Sequence, residues 1–152
     1  MTPRPAPAEL YVEVQQFYAR QMHLLDAGRL DEFAGTFTPD GSHQPSPDKP
    51  PAYGRADIVA AIRQFDERYR DDPVVRRHWF NMLCVAPDDD GSIRADYYAL
   101  VVATRPGVQP IIPTSCLVHD VLHRVEGRLY VRSRRIDHDQ SRVVQLAGAS
   151  RG

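Results

Sequence analysis

The sequence is poor in several things that would settle its class at once. It has two cysteines in 152 residues, Cys84 and Cys116. They are isolated from each other and from any metal-ligand spacing, which excludes a disulfide framework and leaves both thiols to be read as small buried hydrophobes. Lys49 is the single lysine, no long basic run occurs, and the net charge is -1. That balance does not suit a protein that neutralises phosphate backbones, so no nucleic acid partner is expected. No stretch approaches the roughly 18 to 20 consecutive apolar residues of a membrane span, and residues 1–10 lack the apolar segment of a secretory signal. A cytoplasmic protein with no membrane contact is expected. Neither a glycine-rich phosphate loop nor a serine nucleophile elbow is present.

What is there fits one domain, long enough to bury a continuous core without disulfides or a structural metal. Pro7 and Glu9 suit a helix opening just beyond them, with residues 1–8 flexible before it. Leu10, Val14, Phe17 and Leu25, with Tyr11, Tyr18 and Met22 alongside, recur near a period of 3.6 and predict an amphipathic helix. Gly28 stops it. A shorter helix over residues 30–36 buries Leu30, Phe33 and Phe37 before Thr38-Pro39-Asp40-Gly41 turns the chain. Four prolines in residues 42–52 allow only a short strand near residues 42–44. Ile58, Ile62, Phe65 and Tyr69 predict a third helix, ended by Asp71-Asp72-Pro73.

From Val74 the period changes to 2. Strands are predicted over residues 74–86, 92–104, 111–125 and 128–137, joined by Pro87-Asp88-Asp89-Asp90-Gly91, Arg105-Pro106-Gly107 and Glu126-Gly127, an antiparallel meander. The domain therefore spans residues 1–137, and residues 138–152 are read as a C-terminal tail. The fold class is α+β, with three N-terminal helices packed on a curved, mostly antiparallel sheet.

His78 is the strongest candidate for chemistry. If residues 78, 80, 82 and 84 face inward they form a row of His, Phe, Met and Cys, in which a lone imidazole can serve as general base or acid near neutrality. The bland alternative is a packed core histidine. Asp26 stands at the C-terminal end of the first helix, where the helix dipole disfavours a carboxylate; it is either a turn former or a partner for the histidine ring. Tyr97 shares a face with Ile93, Ala95, Ala99 and Val101, and Tyr18 and Tyr53 are further inward candidates, each either packed or donating a phenol to a developing enolate. His119 and His123 share a strand face about 13 Å apart, too far to hold one metal. Asp137-His138-Asp139 reads as a solvated strand end, and no metal or cofactor is expected. Among Arg132, Arg134 and Arg135, pairing with Asp96 or Asp120 on neighbouring strands is the favoured reading.

Leu25-Asp26-Ala27-Gly28-Arg29-Leu30-Asp31-Glu32-Phe33, Phe37-Thr38-Pro39-Asp40-Gly41 and Tyr53-Gly54-Arg55-Ala56-Asp57-Ile58 resemble, in order, elements of the NTF2-like superfamily. Arg77-His78-Trp79-Phe80-Asn81 resembles the arginine-histidine segment of its SnoaL-like and scytalone-dehydratase-like branch. Asn81 lies three residues after His78, where the common form has four, and an odd spacing sends two strand side chains to opposite faces unless a bulge intervenes. The resemblance implies an NTF2-like cone and an Asp26–His78 pair. It also implies substrate contacts from His43, Trp79, Phe80, Asn81 and Met82 beside Tyr18 and Tyr53. The function it implies is a cofactor-independent lyase, isomerase or cyclase acting on a small apolar carbonyl compound such as an aromatic polyketide intermediate. The alternatives are a non-catalytic ligand-binding or structural subunit, like the β-subunits of ring-hydroxylating dioxygenases, or an accessory to a separate oxygenase. Leu100, Val102 and Cys116 predict an apolar outer sheet face and a homodimer packed through it.

Overall fold

Pro7 sits at the N-cap of the first helix, α1 (Ala8–Asp26), whose buried side carries Val14, Tyr18, Gln21, Met22 and Leu24. Ala6 already packs against the core, so ordered structure begins inside the segment expected to be flexible. At the other end, Gly28 takes φ +70°, and the Gly28 and Arg29 N–H groups donate to the Leu25 and Leu24 carbonyls at 3.0 Å. This is the paired closure that only a left-handed residue permits without strain. It turns the chain into α2 (Leu30–Ala34).

The computed structural model describes residues 6–142 and Ala149. Val143, Val144 and Leu146 of the expected tail fall outside the described residues, while residues 139–142 continue from the last strand as helix.

The first strand, β1 (Phe37–Gln44), is longer than the prolines and turn residues predicted. Thr38-Pro39-Asp40-Gly41 is not a turn before the strand but an irregularity within it, since the pairing slips between Phe37↔Val131 and Ser42↔Ser133. Gly41 is required there: a Cβ would lie 3.0 Å from the Thr38 and Val131 carbonyl oxygens. After β2 (Ala52–Tyr53) comes α3 (Gly54–Asp66), which runs into one 3₁₀ turn, Glu67–Tyr69.

The meander follows as predicted: β3 (Val75–Pro87), β4 (Ile93–Thr104), β5 (Ile111–Val125) and β6 (Arg128–His138). The six strands form one sheet in the order β2-β1-β6-β5-β4-β3, antiparallel except where β1 lies parallel to β6. Helices on one face of this curved, mostly antiparallel sheet make the α+β cone. No helix of the described residues is long and apolar enough to cross a membrane.

One bulge decides which residues of β3 face the interior. Pairing jumps from Asn81↔Tyr98 to Cys84↔Asp96, and Met82, the extra residue, takes φ +55°. The Asn81 side chain accepts a hydrogen bond from the Met82 N–H at 2.8 Å and so holds the bulge. The alternation inverts beyond it. His78 and Phe80 face inward, but Met82 is 67% exposed, Cys84 is exposed, and Leu83 and Val85 take the buried positions.

The outer face is partly apolar. Trp79 (64% exposed) stands opposite Leu100, and Tyr98 is exposed beside them. Cys116 does not belong to this face: it is buried within the core, in register with Ala99. His119 and His123 do lie on the outer face, and His119 Nδ1 is 2.6 Å from Asp96 Oδ1 while its Nε2 is 3.4 Å from Asp137 Oδ2.

Candidate active site

The closure at Gly28 leaves Asp26, the last residue of α1, pointing at the start of β3. Asp26 Oδ1 lies 2.6 Å from His78 Nδ1, and Oδ2 accepts a hydrogen bond from the His78 backbone N–H at 3.2 Å. One carboxylate thus grips both the strand and the ring. An ionised carboxylate only accepts, so the short contact fixes the proton on Nδ1 and leaves the Nε2 lone pair available. The His78 side chain is 17% exposed, enough for a small molecule to reach. Asp66, at the end of α3, also senses this site: burial raises its carboxyl, against the pull of Arg76 and then of His78.

Beneath His78 the interior is filled. Phe80, Tyr18 and Tyr97 pack ring against ring, with centroids 4.6 Å apart for Phe80–Tyr97 and Tyr18–Tyr97 and 5.9 Å for Tyr18–Phe80. The concavities described, about 390 and 170 Å³, lie elsewhere, one beside His119 and Asp137 and the other around Gly28 and Arg63. The inward positions beneath His78 are thus taken by packed aromatic side chains.

Neither phenol is free. Tyr18 and Tyr97 both donate to Asp120 Oδ2, at 2.9 and 3.0 Å. Arg134 completes the cluster, its Nε 3.0 Å from Asp120 Oδ1 and its Nη2 2.7 Å from Oδ2 and 2.6 Å from Gln21 Oε1. Gln21 donates onward to Thr36 Oγ1 at 2.6 Å. Burial pushes both phenols well above their ordinary range, so both stay protonated as donors. The Arg134 guanidinium lies over the rings of Phe80, Phe37 and Tyr18 at 5.3 to 5.8 Å. The pairing of Arg134 with Asp120 was legible as a cross-strand pair; its complete burial was not.

His43 stands in register with Arg134 on β1, four strands from β3, and so belongs to this inner cluster and not to the Asp26–His78 pair. Its Nδ1 is buried without a partner among the described residues. Burial first, then the neighbouring Arg134 charge, lowers it to about 3, which keeps the ring neutral.

Residues 6–135 match the SnoaL-like domain. The chain belongs to the SnoaL-like family. Several solved structures share the fold. A protein from Catenulispora acidiphila, solved in complex with S-DNPA, is 47% identical with a TM-score of 0.84, the match covering 91% of this chain and 99% of that one. ActVI-ORFA from Streptomyces coelicolor is 42% identical, TM-score 0.81, over 86% and 98%. Aln2 from a Streptomyces species is 37% identical, TM-score 0.87, over 93% and 99%. No curated protein matches the chain.

Within this SnoaL-like domain the sequence-based site divides into three. Asp26, His78 and Phe80 come together at one end of the interior. Tyr18 and Tyr97 are inward but committed by hydrogen bonds to Asp120, and His43 lies beside Arg134 without a bonded partner among the described residues. Trp79, Asn81, Met82 and Tyr53 leave the site: the first three lie on the outer face or in the bulge, and Tyr53, 65% exposed at the N-cap of α3, pairs with Ser42 at the sheet edge. Gln21, Asp120 and Arg134 were missed as a cluster. For two of them the signal was a polar residue at an inward position of an apolar stripe or alternation, Gln21 beside Tyr18 and Asp120 between Val118 and Leu122; Arg134 gave none, because the pairing slips at Arg132 and turns residue 134 inward out of step with Leu129 and Val131.

Proposed function

We propose that this SnoaL-like protein is a cofactor-independent lyase, isomerase or cyclase, in which His78 Nε2 removes a proton α to the carbonyl of a small aromatic compound of polyketide type. The observation that carries the reading is the 2.6 Å Asp26–His78 contact with the second Asp26 oxygen on the strand N–H. It orients the ring and stabilises the imidazolium formed on proton transfer. With the phenols of Tyr18 and Tyr97 bound to Asp120, the enolate charge is met by that imidazolium, which in a dehydration returns the proton to the departing hydroxyl. Family membership supports the reaction class, and the relative solved with S-DNPA supports small-molecule binding.

The test is exchange of the α-protons of 2-tetralone in D₂O, followed by proton NMR. His78→Gln is expected to lower the protein-catalysed rate by about 10²- to 10⁴-fold, the ordinary worth of a general base, with Asp26→Asn also impaired and both variants melting near wild type. Wild-type exchange in His78→Gln would sink the mechanism.

The aromatic filling beneath His78 favours a second reading, a non-catalytic ligand-binding or structural subunit or an accessory to a separate oxygenase; a wild-type protein that does not accelerate exchange fits that one. In either case a homodimer through Trp79, Tyr98 and Leu100 is expected, because exposed aromatic side chains grouped on a sheet face are removed from water by association. Light scattering at micromolar concentration checks it, and a monomeric mass that Trp79→Glu leaves unchanged counts against it.

A further inference from the structure

Arg76 is one inward position before His78 on β3, paired with Ala103 at the open end of the sheet. Alternate residues on a strand lie about 7 Å apart, so its stem emerges beside the imidazole on the same face. Its guanidinium carbon is 4.7 Å from the Phe65 ring centroid and 5.5 Å from that of Tyr69, a shelf formed by the end of α3 and the 3₁₀ turn. Among the described residues every other arginine that is half-buried or buried has a bonded partner: Arg55 on a carbonyl, Arg105 with Asp72, Arg132 with Asp40, Arg134 with Asp120. Arg76 alone is half-buried with neither a hydrogen bond nor an ion pair. Stacking holds the plane of a guanidinium but leaves its edge donors unsatisfied, and a cation partly removed from water gains most from an anion at that edge.

We infer that Arg76 is the substrate-binding residue for a carboxylate, and that the molecule presented to His78 is a planar aromatic acid whose carboxylate pairs with the edge of the Arg76 guanidinium, the faces of Phe65 and Tyr69 being already covered by Arg76 and Arg68. This rests on the reading of His78 as the proton-abstracting group and adds the charge of its substrate. The nearby Asp66 carboxylate already senses the Arg76 charge, so the guanidinium favours a monocarboxylate less than a lone arginine would, and a dianionic phosphate would meet stronger like-charge repulsion. Arg76 therefore selects for position and charge, and the proton transfer stays with His78.

The test uses 2-naphthoate and 2-naphthamide, which share shape but differ in charge, titrated calorimetrically into the full-length protein. Wild type is expected to bind the naphthoate at least about tenfold more tightly, as a charge-assisted bidentate contact implies. Arg76→Met, which keeps an apolar stem on the Phe65 shelf, is expected to abolish that preference by weakening naphthoate alone. Arg76→Lys retains part of it. Thus a failed exchange assay with an intact naphthoate preference leaves the carboxylate site standing, and the converse separates the two claims. Equal affinities in wild type, no binding of either probe, or a preference that survives in a folded Arg76→Met protein overturns the inference.

Discussion

Arg134→Met is expected to destabilise the protein by about 3 to 5 kcal/mol, the usual effect of removing one partner from a buried ion pair. Both side chains of the pair are essentially inaccessible, at 1% and 0%. Without the guanidinium, Asp120 keeps only the two phenol donors on one oxygen, its other oxygen loses Arg134 Nε, and the Gln21 carbonyl loses its donor. Isolated carboxylates are not tolerated in such surroundings; Asp120 would have to take up a proton or draw in water. Removing both charges at once, as Asp120→Asn with Arg134→Met, is expected to be milder than Arg134→Met alone, because no ion is left stranded. Urea midpoints measure both. A loss below about 1 kcal/mol in the single variant, well under the range for a broken buried pair, would show that the cluster is solvated in a way its geometry does not indicate.

His43 is expected to make the fold acid-sensitive. In the folded state its ring titrates only at about 3, whereas in the unfolded chain it titrates near its ordinary value of about 6.5. Between those values the unfolded state binds a proton that the native state refuses, so stability is complete above about pH 6.5 and falls as the pH drops. The slope approaches about 1.4 kcal/mol per pH unit and levels off near the folded value. His43→Phe keeps an aromatic ring against Phe37, now 6.1 Å from the imidazole centroid, and removes the titration. Glu13 and Asp72, held below the usual carboxylate range by hydrogen bonds from Arg124 and Arg105, also lose stabilisation in acid. Those contributions are common to both proteins and cancel in the difference. Stability measured from pH 7 to 4 should therefore diverge between wild type and His43→Phe. Parallel curves would mean that His43 is protonated in the fold.

The order of elements could be read from the chain because each rests on a local signal: the 3.6 period in residues 10–25, Gly28 after it, the change to period 2 at Val74, and turn residues at three hairpins. The Asp26–His78 contact was open in the residues alone, where a carboxylate at a helix C-terminus is either a turn former or a partner for a ring; the resemblance to the SnoaL-like branch is what implied the pair. What escaped depended on pairing between distant strands. The bulge at Met82 has no glycine to announce it, and the Asn81 side chain that holds it could equally belong to a pocket. Pro39 and Gly41 spell a turn, yet the strand continues past them because β6 supplies the partner in parallel. The inward charge of Asp120 was visible only as a break in an alternation, Arg134 is turned inward by a slip in the pairing at Arg132, and nothing local shows that two tyrosines and a glutamine converge on them.

Asp26 is the last residue of the same helix that carries Tyr18 and Gln21. Eight residues, about 12 Å of rise, separate Tyr18 from Asp26, and each residue contributes a rotation of about 100° as well as a step. α1 is thus a keyed shaft, seated at one point by the Asp120–Arg134 cluster and presenting the carboxylate at its tip to His78. A single-residue insertion between Tyr18 and Asp26 would swing that tip by more than a quarter turn, so the chain between them can change its side chains but not its length.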